Sequence, residues 1–133
     1  MRSKRLVRVF AALLLATVGC GDDDGPTNPG SGRLFRVRVG LDEFRMRVTD
    51  PDTIRLAMEN LAGGNSRFPN GPIAVGDGGF NSPWSWHFRP ESVRMVETSI
   101  ELCDGTPSYV EAHREAYLAS GYCPWLARGV AVE

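Results

Sequence analysis

Leu34-Phe35-Arg36-Val37-Arg38-Val39-Gly40-Leu41-Asp42-Glu43-Phe44-Arg45-Met46-Arg47-Val48 is the stretch that decides the fold. Apolar and basic residues alternate on both sides of a polar break, Gly40-Leu41-Asp42-Glu43. Two period-2 runs around a short break read as a β-hairpin. Pairing Val39 with Phe44 also pairs Val37 with Met46 and Phe35 with Val48, so one face is wholly apolar. The other face then sets Arg38 against Arg45 and Arg36 against Arg47. Like charges directly across two strands are destabilising by about 0.2–1 kcal/mol. Either carboxylates lie alongside these four arginines or an anionic partner does. Glu97 and Glu101, on a period-2 segment of their own, are expected to supply the counter-charge from a neighbouring strand.

Outward from the hairpin, Asp50-Pro51-Asp52-Thr53 opens a helix, with Asp50 as N-cap and Pro51 at the first helical position. Ile54, Ala57, Met58 and Leu61 share one face, and Gly63-Gly64 ends it. A glycine-rich stretch follows that is mostly loop; Ile73–Val75 within it is a short strand candidate that is not counted in the element order. Trp84-Ser85-Trp86-His87-Phe88 alternates as a strand. Val93–Cys103 reads as the longest remaining strand, with Val96, Ile100 and Leu102 facing the core. Thr106-Pro107 opens a second helix, with Val110, His113 and Tyr117 on its packed side and Gly121 at its end. Leu126–Val132 gives a last strand. The order β-β-α-β-β-α-β predicts an α+β domain with a largely antiparallel sheet.

Upstream, Arg2, Lys4, Arg5 and Arg8 precede the short apolar run Val9–Val18 and the sequence Thr17-Val18-Gly19-Cys20. This is the order of a bacterial lipoprotein signal over residues 1–19, with Cys20 as the lipidated first mature residue. The alternative is an ordinary secretory signal that happens to end in cysteine. Residues 20–32 then form the lipidated cysteine and a polar tether, and residues 33–133 one domain. Gly21 in place of an aspartate points to the outer rather than the inner membrane of the envelope.

The mature chain has 11 basic and 16 acidic residues, a formal charge of −5, which argues against nucleic acid as a partner. With Cys20 lipidated, Cys103 and Cys123 remain as a pair in an oxidising compartment and are expected to bridge. A metal pair is the alternative, although no second Cys or His cluster lies nearby with ligand spacing.

Four words, FRMRVTDPDTI (44–54), NSPWSWHF (81–88), IELCDGTPSYVE (100–111) and CPW (123–125), resemble in that order the BP-seventy-four N-terminal-domain family. The resemblance covers about residues 35–130. It implies a small secreted or lipid-anchored domain and brings no catalytic residue; no cofactor is expected. This chain is shorter than many members between the second helix and Cys123.

The candidate binding residues fall in three groups. Trp84 and Trp86, with His87 beside them, form either an aromatic platform for a glycan or peptide or part of the core. Asp77 and Asn81 sit in the glycine-rich loop, which is a turn or a recognition loop. Arg36, Arg38, Arg45 and Arg47 form the basic face, suited to an anionic surface if glutamates do not neutralise it. His87 or His113, with Asp104 and Ser108, could be drawn into a hydrolase set. No nucleophile elbow or metal spacing supports that set, and no catalytic or metal-binding residue is assigned. The expected role is a non-catalytic binding module anchored to the envelope. Its partner would be the membrane itself, through the lipid, together with an envelope protein, glycan or anionic surface. The rivals are a small hydrolase and a purely structural lipoprotein.

Overall fold

The computed structural model describes residues 32–133. Residues 1–31, on which the expected lipoprotein signal, Cys20 and the expected tether fall, lie outside the described residues. The α+β class holds, with short antiparallel sheets and three α-helices among the described residues.

Strands β1 (Arg33–Val39) and β2 (Asp42–Val48) form the hairpin, but in a register two residues from the expected one. Val39 pairs with Asp42, Val37 with Phe44 and Phe35 with Met46. The reason is the turn. Only Gly40 and Leu41 lie outside the strands, and Gly40 takes φ +62°, a left-handed value that glycine adopts without strain. A shift of two preserves the parity of every residue, so the faces are as expected. Phe35, Val37, Val39, Phe44, Met46 and Val48 are all buried.

The strand beside the hairpin is β7 (Arg128–Val132), which pairs with β1 to give the order β2-β1-β7. The expected neighbour, Val93–Cys103, is not one strand. Only Arg94–Val96 is extended and paired, as β6, against β3 (Phe68–Asn70), a strand that no alternation in the sequence announces. Its partner is only three residues long, so the ladder has nothing to continue on. Residues Glu101–Cys103 instead make a 3₁₀ turn. Ile100 and Leu102, expected in the core, are 63 % and 73 % exposed. Strands β4 (Ile73–Val75) and β5 (Trp86–Phe88) pair as a separate hairpin.

Helix α1 (Pro51–Leu61) begins as the sequence requires. The Asp50 carboxylate accepts the Thr53 amide at 2.9 Å and its hydroxyl at 2.7 Å, and these bonds hold the Asp50 carboxyl below its ordinary pKa. Thr53 and Ala57 are buried, whereas Met58, placed on the inner face by its spacing, is exposed. The second helix is divided into α2 (Pro107–Ala112) and α3 (Arg114–Ser120). His113 sits at the break with φ −127°, and its ring Nδ1 lies 2.9 Å from the Tyr109 carbonyl. The ring shares that carbonyl with the His113 backbone amide, which donates to it at 3.0 Å. His113 is exposed and stacked on Tyr109, not packed as its spacing suggested.

Cys103 and Cys123 form a disulfide across 20 residues of sequence. Next to it, Phe44, Trp86, Phe88 and Tyr122 build an aromatic cluster, with Trp86 and Tyr122 edge to face at 5.3 Å and Phe88 and Tyr122 stacked at 5.5 Å. Such pairs add about 0.5–1.5 kcal/mol each beyond the area they bury. Tyr122 is fully buried and donates its hydroxyl to the Gly105 carbonyl at 2.7 Å, and burial pushes its pKa up strongly.

Candidate binding face

The outer face of the β2-β1-β7 sheet is built by strand parity. With Phe35, Val37, Phe44 and Met46 turned inward, Arg36 and Arg38 of β1 and Glu43, Arg45 and Arg47 of β2 turn outward. Arg128 of β7 sits opposite Arg38 and joins them.

The two-residue register shift changes who faces whom. Arg38 stands opposite Glu43 and donates to its carboxylate at 2.7 Å. Arg36 stands opposite Arg45, the one directly opposed arginine pair in the hairpin. Glu133, just past the end of β7, lies between them. It takes Arg45 Nε at 2.8 Å and lies 3.8 Å from Arg36 Nε. Glu43 also reaches Arg36 at 3.8 Å. The hydrogen bond from Arg38 is the main cause holding the Glu43 carboxyl below its ordinary pKa, and that from Arg45 does the same for Glu133. The Glu133 contact in turn raises the Arg45 pKa.

The arginines therefore meet glutamates, though not the expected ones. Glu97 is bonded to Arg67 at 2.9 Å, and Glu101 begins the 3₁₀ turn. Glu43 was within reach of sequence reasoning, since a tight Gly-Leu turn places it opposite Arg38. Glu133 was not, because its position depends on β7 returning beside β1.

Charge is unevenly divided. The face carries five arginines against two glutamates, a formal +3. The other six arginines and eleven carboxylates of residues 32–133 amount to −5.

The loop between β4 and β5 closes one edge of this face. Asn81 is buried, not surface-facing. It accepts the Arg45 amide at 2.7 Å and donates to the Trp86 carbonyl at 2.7 Å, joining the free edge of β2 to β5. Asp77 organises the loop from within. Its carboxylate accepts the Gly79 amide at 2.8 Å and its carbonyl accepts the Asn81 amide at 2.9 Å. Trp84 is half-buried and donates its indole N–H to the Glu43 carbonyl at 2.8 Å. Trp86 has no exposed surface, so the two tryptophans make no platform and belong to the core and its margin. His87 points to the opposite side from Trp86, as alternation required, with Nδ1 2.7 Å from the Gly76 carbonyl and its ring edge-on to Phe80 at 5.5 Å. The Arg47 guanidinium lies 5.5 Å above the same Phe80 ring, which carries the arginine face onto this loop.

The hydrolase set does not assemble among the described residues. Ser108 donates its hydroxyl to Asp42 at 2.6 Å, Asp104 accepts the Trp125 amide at 2.9 Å, and each histidine bonds a backbone carbonyl through Nδ1.

A family model described as the BP-seventy-four N-terminal domain matches residues 32–133. The chain belongs to that family. Comparison with curated proteins and with solved structures gives no match. The matched range spans all of the described residues, so both the arginine face and the disulfide lie inside the BP-seventy-four N-terminal domain.

Proposed function

We propose that this chain is a lipid-anchored, non-catalytic binding module of the bacterial envelope that engages an anionic partner through the outer face of its β2-β1-β7 sheet. The observation that carries the reading is the collection of five arginines on one sheet face of a domain that is otherwise acidic. Guanidinium groups pair with phosphate and carboxylate in a planar, two-pronged geometry that lysine does not offer. Glu43 and Glu133 hold Arg36, Arg38 and Arg45 in place without cancelling the charge of the face. The basic residues Arg2, Lys4, Arg5 and Arg8, the apolar run after them and Gly19-Cys20 support the anchor, which would keep the domain close to an anionic bilayer surface.

The test is co-sedimentation of the mature Cys20→Ala chain with vesicles of phosphatidylcholine alone and of phosphatidylcholine with phosphatidylglycerol. Binding is expected only with the anionic lipid and should weaken as salt rises. Each arginine near such a surface contributes about 1 kcal/mol, so the Arg38→Ala, Arg128→Ala double variant should bind roughly 30-fold more weakly. Equal binding to both vesicle types, or none to either, rejects the anionic-surface reading.

A further inference from the structure

We propose that the surface around the Cys103–Cys123 disulfide is a docking ledge for a basic, apolar peptide segment of another protein. Among the described residues eight large apolar side chains are exposed, and five of them, Ile100, Leu102, Tyr109, Trp125 and Leu126, fall within residues 100–126. The disulfide draws the two parts of that stretch together. The Cys123 amide donates to the Cys103 carbonyl at 2.7 Å, and the Trp125 amide to the Asp104 carboxylate at 2.9 Å. Trp125 and Leu126 line a shallow groove with Phe68 and residues 97–99. Tyr109 lines a second with Glu101 and Asp104. Single exposed apolar residues are ordinary on a protein surface; these differ because the disulfide and the Trp125–Asp104 bond bring the two chain segments that carry Ile100, Leu102, Trp125 and Leu126 side by side.

The charge of the ledge specifies the occupant. No arginine or lysine occurs between Arg94 and Arg114, while Glu97, Glu101 and Asp104 all lie in that interval. Arg67 engages Glu97 at 2.9 Å, and among the described residues neither Glu101 nor Asp104 is in an ion pair. Anionic lipid would meet these carboxylates unfavourably, and so would an acidic protein. A segment with aliphatic or aromatic side chains flanked by lysine or arginine satisfies both properties. Its apolar groups cover Leu102, Trp125 and Leu126, and its cations face Glu101 and Asp104. Carboxylates of this kind set partner choice and encounter rate, while the buried apolar contacts set the dissociation rate.

The experiment uses the mature Cys20→Ala chain with its disulfide intact and a fluorescein-labelled peptide of leucine, tryptophan and arginine, read by fluorescence anisotropy. A second peptide carries glutamate at every arginine position. Saturable binding of the arginine peptide alone is expected. Leu102→Ser and Leu126→Ser should each weaken it by at least about tenfold, and Glu101→Lys should do likewise. Arg38→Ala, on the sheet face, should leave it within about twofold. Because the substituted side chains are exposed, unchanged circular dichroism will confirm folding. No binding, equal binding of both peptides, or indifference to Leu102→Ser and Leu126→Ser overturns the proposal. A dimer in sedimentation that Leu126→Ser dissolves would also overturn it, and would assign the ledge to a second copy of this chain.

Discussion

Replacing Asn81 by alanine tests whether the loop between β4 and β5 is held on the sheet by one side chain. Asn81 is 1 % exposed and makes two bonds of 2.7 Å, one from the Arg45 amide and one to the Trp86 carbonyl. Alanine removes both partners at once. A buried polar group left without a partner costs about 1–3 kcal/mol. The Trp86 carbonyl is in a buried bond and belongs at the upper end. The Arg45 amide is half-buried and water can reach it, so it belongs near the lower end. The two together give about 3–4 kcal/mol, a large fraction of the stability of a domain this size. At roughly 4–8 °C per kcal/mol, the melting temperature should fall by about 12–30 °C. Urea unfolding followed by tryptophan fluorescence measures the loss directly, and an unchanged m-value would show that the unfolded state is not the cause. Asn81→Asp separates the two bonds, because it keeps the acceptor and loses the donor. Facing the Trp86 carbonyl, the introduced carboxylate should have its folded pKa raised. The bond to that carbonyl is then present below the unfolded carboxylate pKa and lost as pH rises through the raised value. Asn81→Asp should therefore recover part of its stability at acid pH, and Asn81→Ala should not. A loss below about 1 kcal/mol for Asn81→Ala, or parallel pH profiles for the two variants, refutes the tether.

Glu133→Gln removes the bridge between Arg36 and Arg45. Because Glu133 has its pKa lowered by Arg45, its contribution is present above the unfolded carboxylate pKa and is lost as pH falls through the folded value. The stability difference from the parent should accordingly be small at neutral pH, shrink with added salt and vanish at acid pH in urea titrations. Reduction of Cys103–Cys123, which closes 20 residues, should cost about 3 kcal/mol, and alkylation under denaturing, non-reducing conditions should label neither thiol. Gly78→Ala should destabilise by about 1–2 kcal/mol, since Gly78 sits at φ +64° and an added Cβ would come within 2.7 Å of the His87 ring. The same variant should move the His87 proton resonances. Cys20→Ala should shift the protein from the detergent to the aqueous phase in a Triton partition, and a mature N-terminus downstream of Cys20 would reject the anchor.

What is legible in the sequence is what local physics determines. The alternation of residues 34–48 assigns every hairpin side chain to its face, and Asp50-Pro51 marks the start of α1 to the residue. The register is not legible in the same way, because the polar break of four residues contains its own tight turn, and alternation cannot distinguish slips of two. The face survives that slip because parity does. The identity of the counter-charges does not, because the hydrophobic pattern says that a neighbouring strand exists without saying which one it is. Asn81 falls in a candidate recognition loop, and nothing local shows that an asparagine in a glycine-rich turn will plug a strand edge.

The segment from Val93 to Cys103 shows the same limit from the other side, and it bears on the ledge. Val96, Ile100 and Leu102 alternate with Glu97, Ser99 and Glu101, which is the pattern of a half-buried strand. A strand needs a partner along its whole length, and β3 supplies one for only three residues. Beyond Val96 the chain has no ladder to join, and the disulfide draws Cys103 toward Cys123. Ile100 and Leu102 are consequently left in solvent with their carboxylate neighbours. An amphipathic pattern that the domain itself does not bury is a pattern available to another chain. Deleting that amphipathicity with Ile100→Ser and Leu102→Ser together should leave the urea midpoint nearly unchanged, since neither side chain is covered in the folded domain. A loss above about 1 kcal/mol would mean that these residues are packed after all, and the docking ledge would then have no apolar floor.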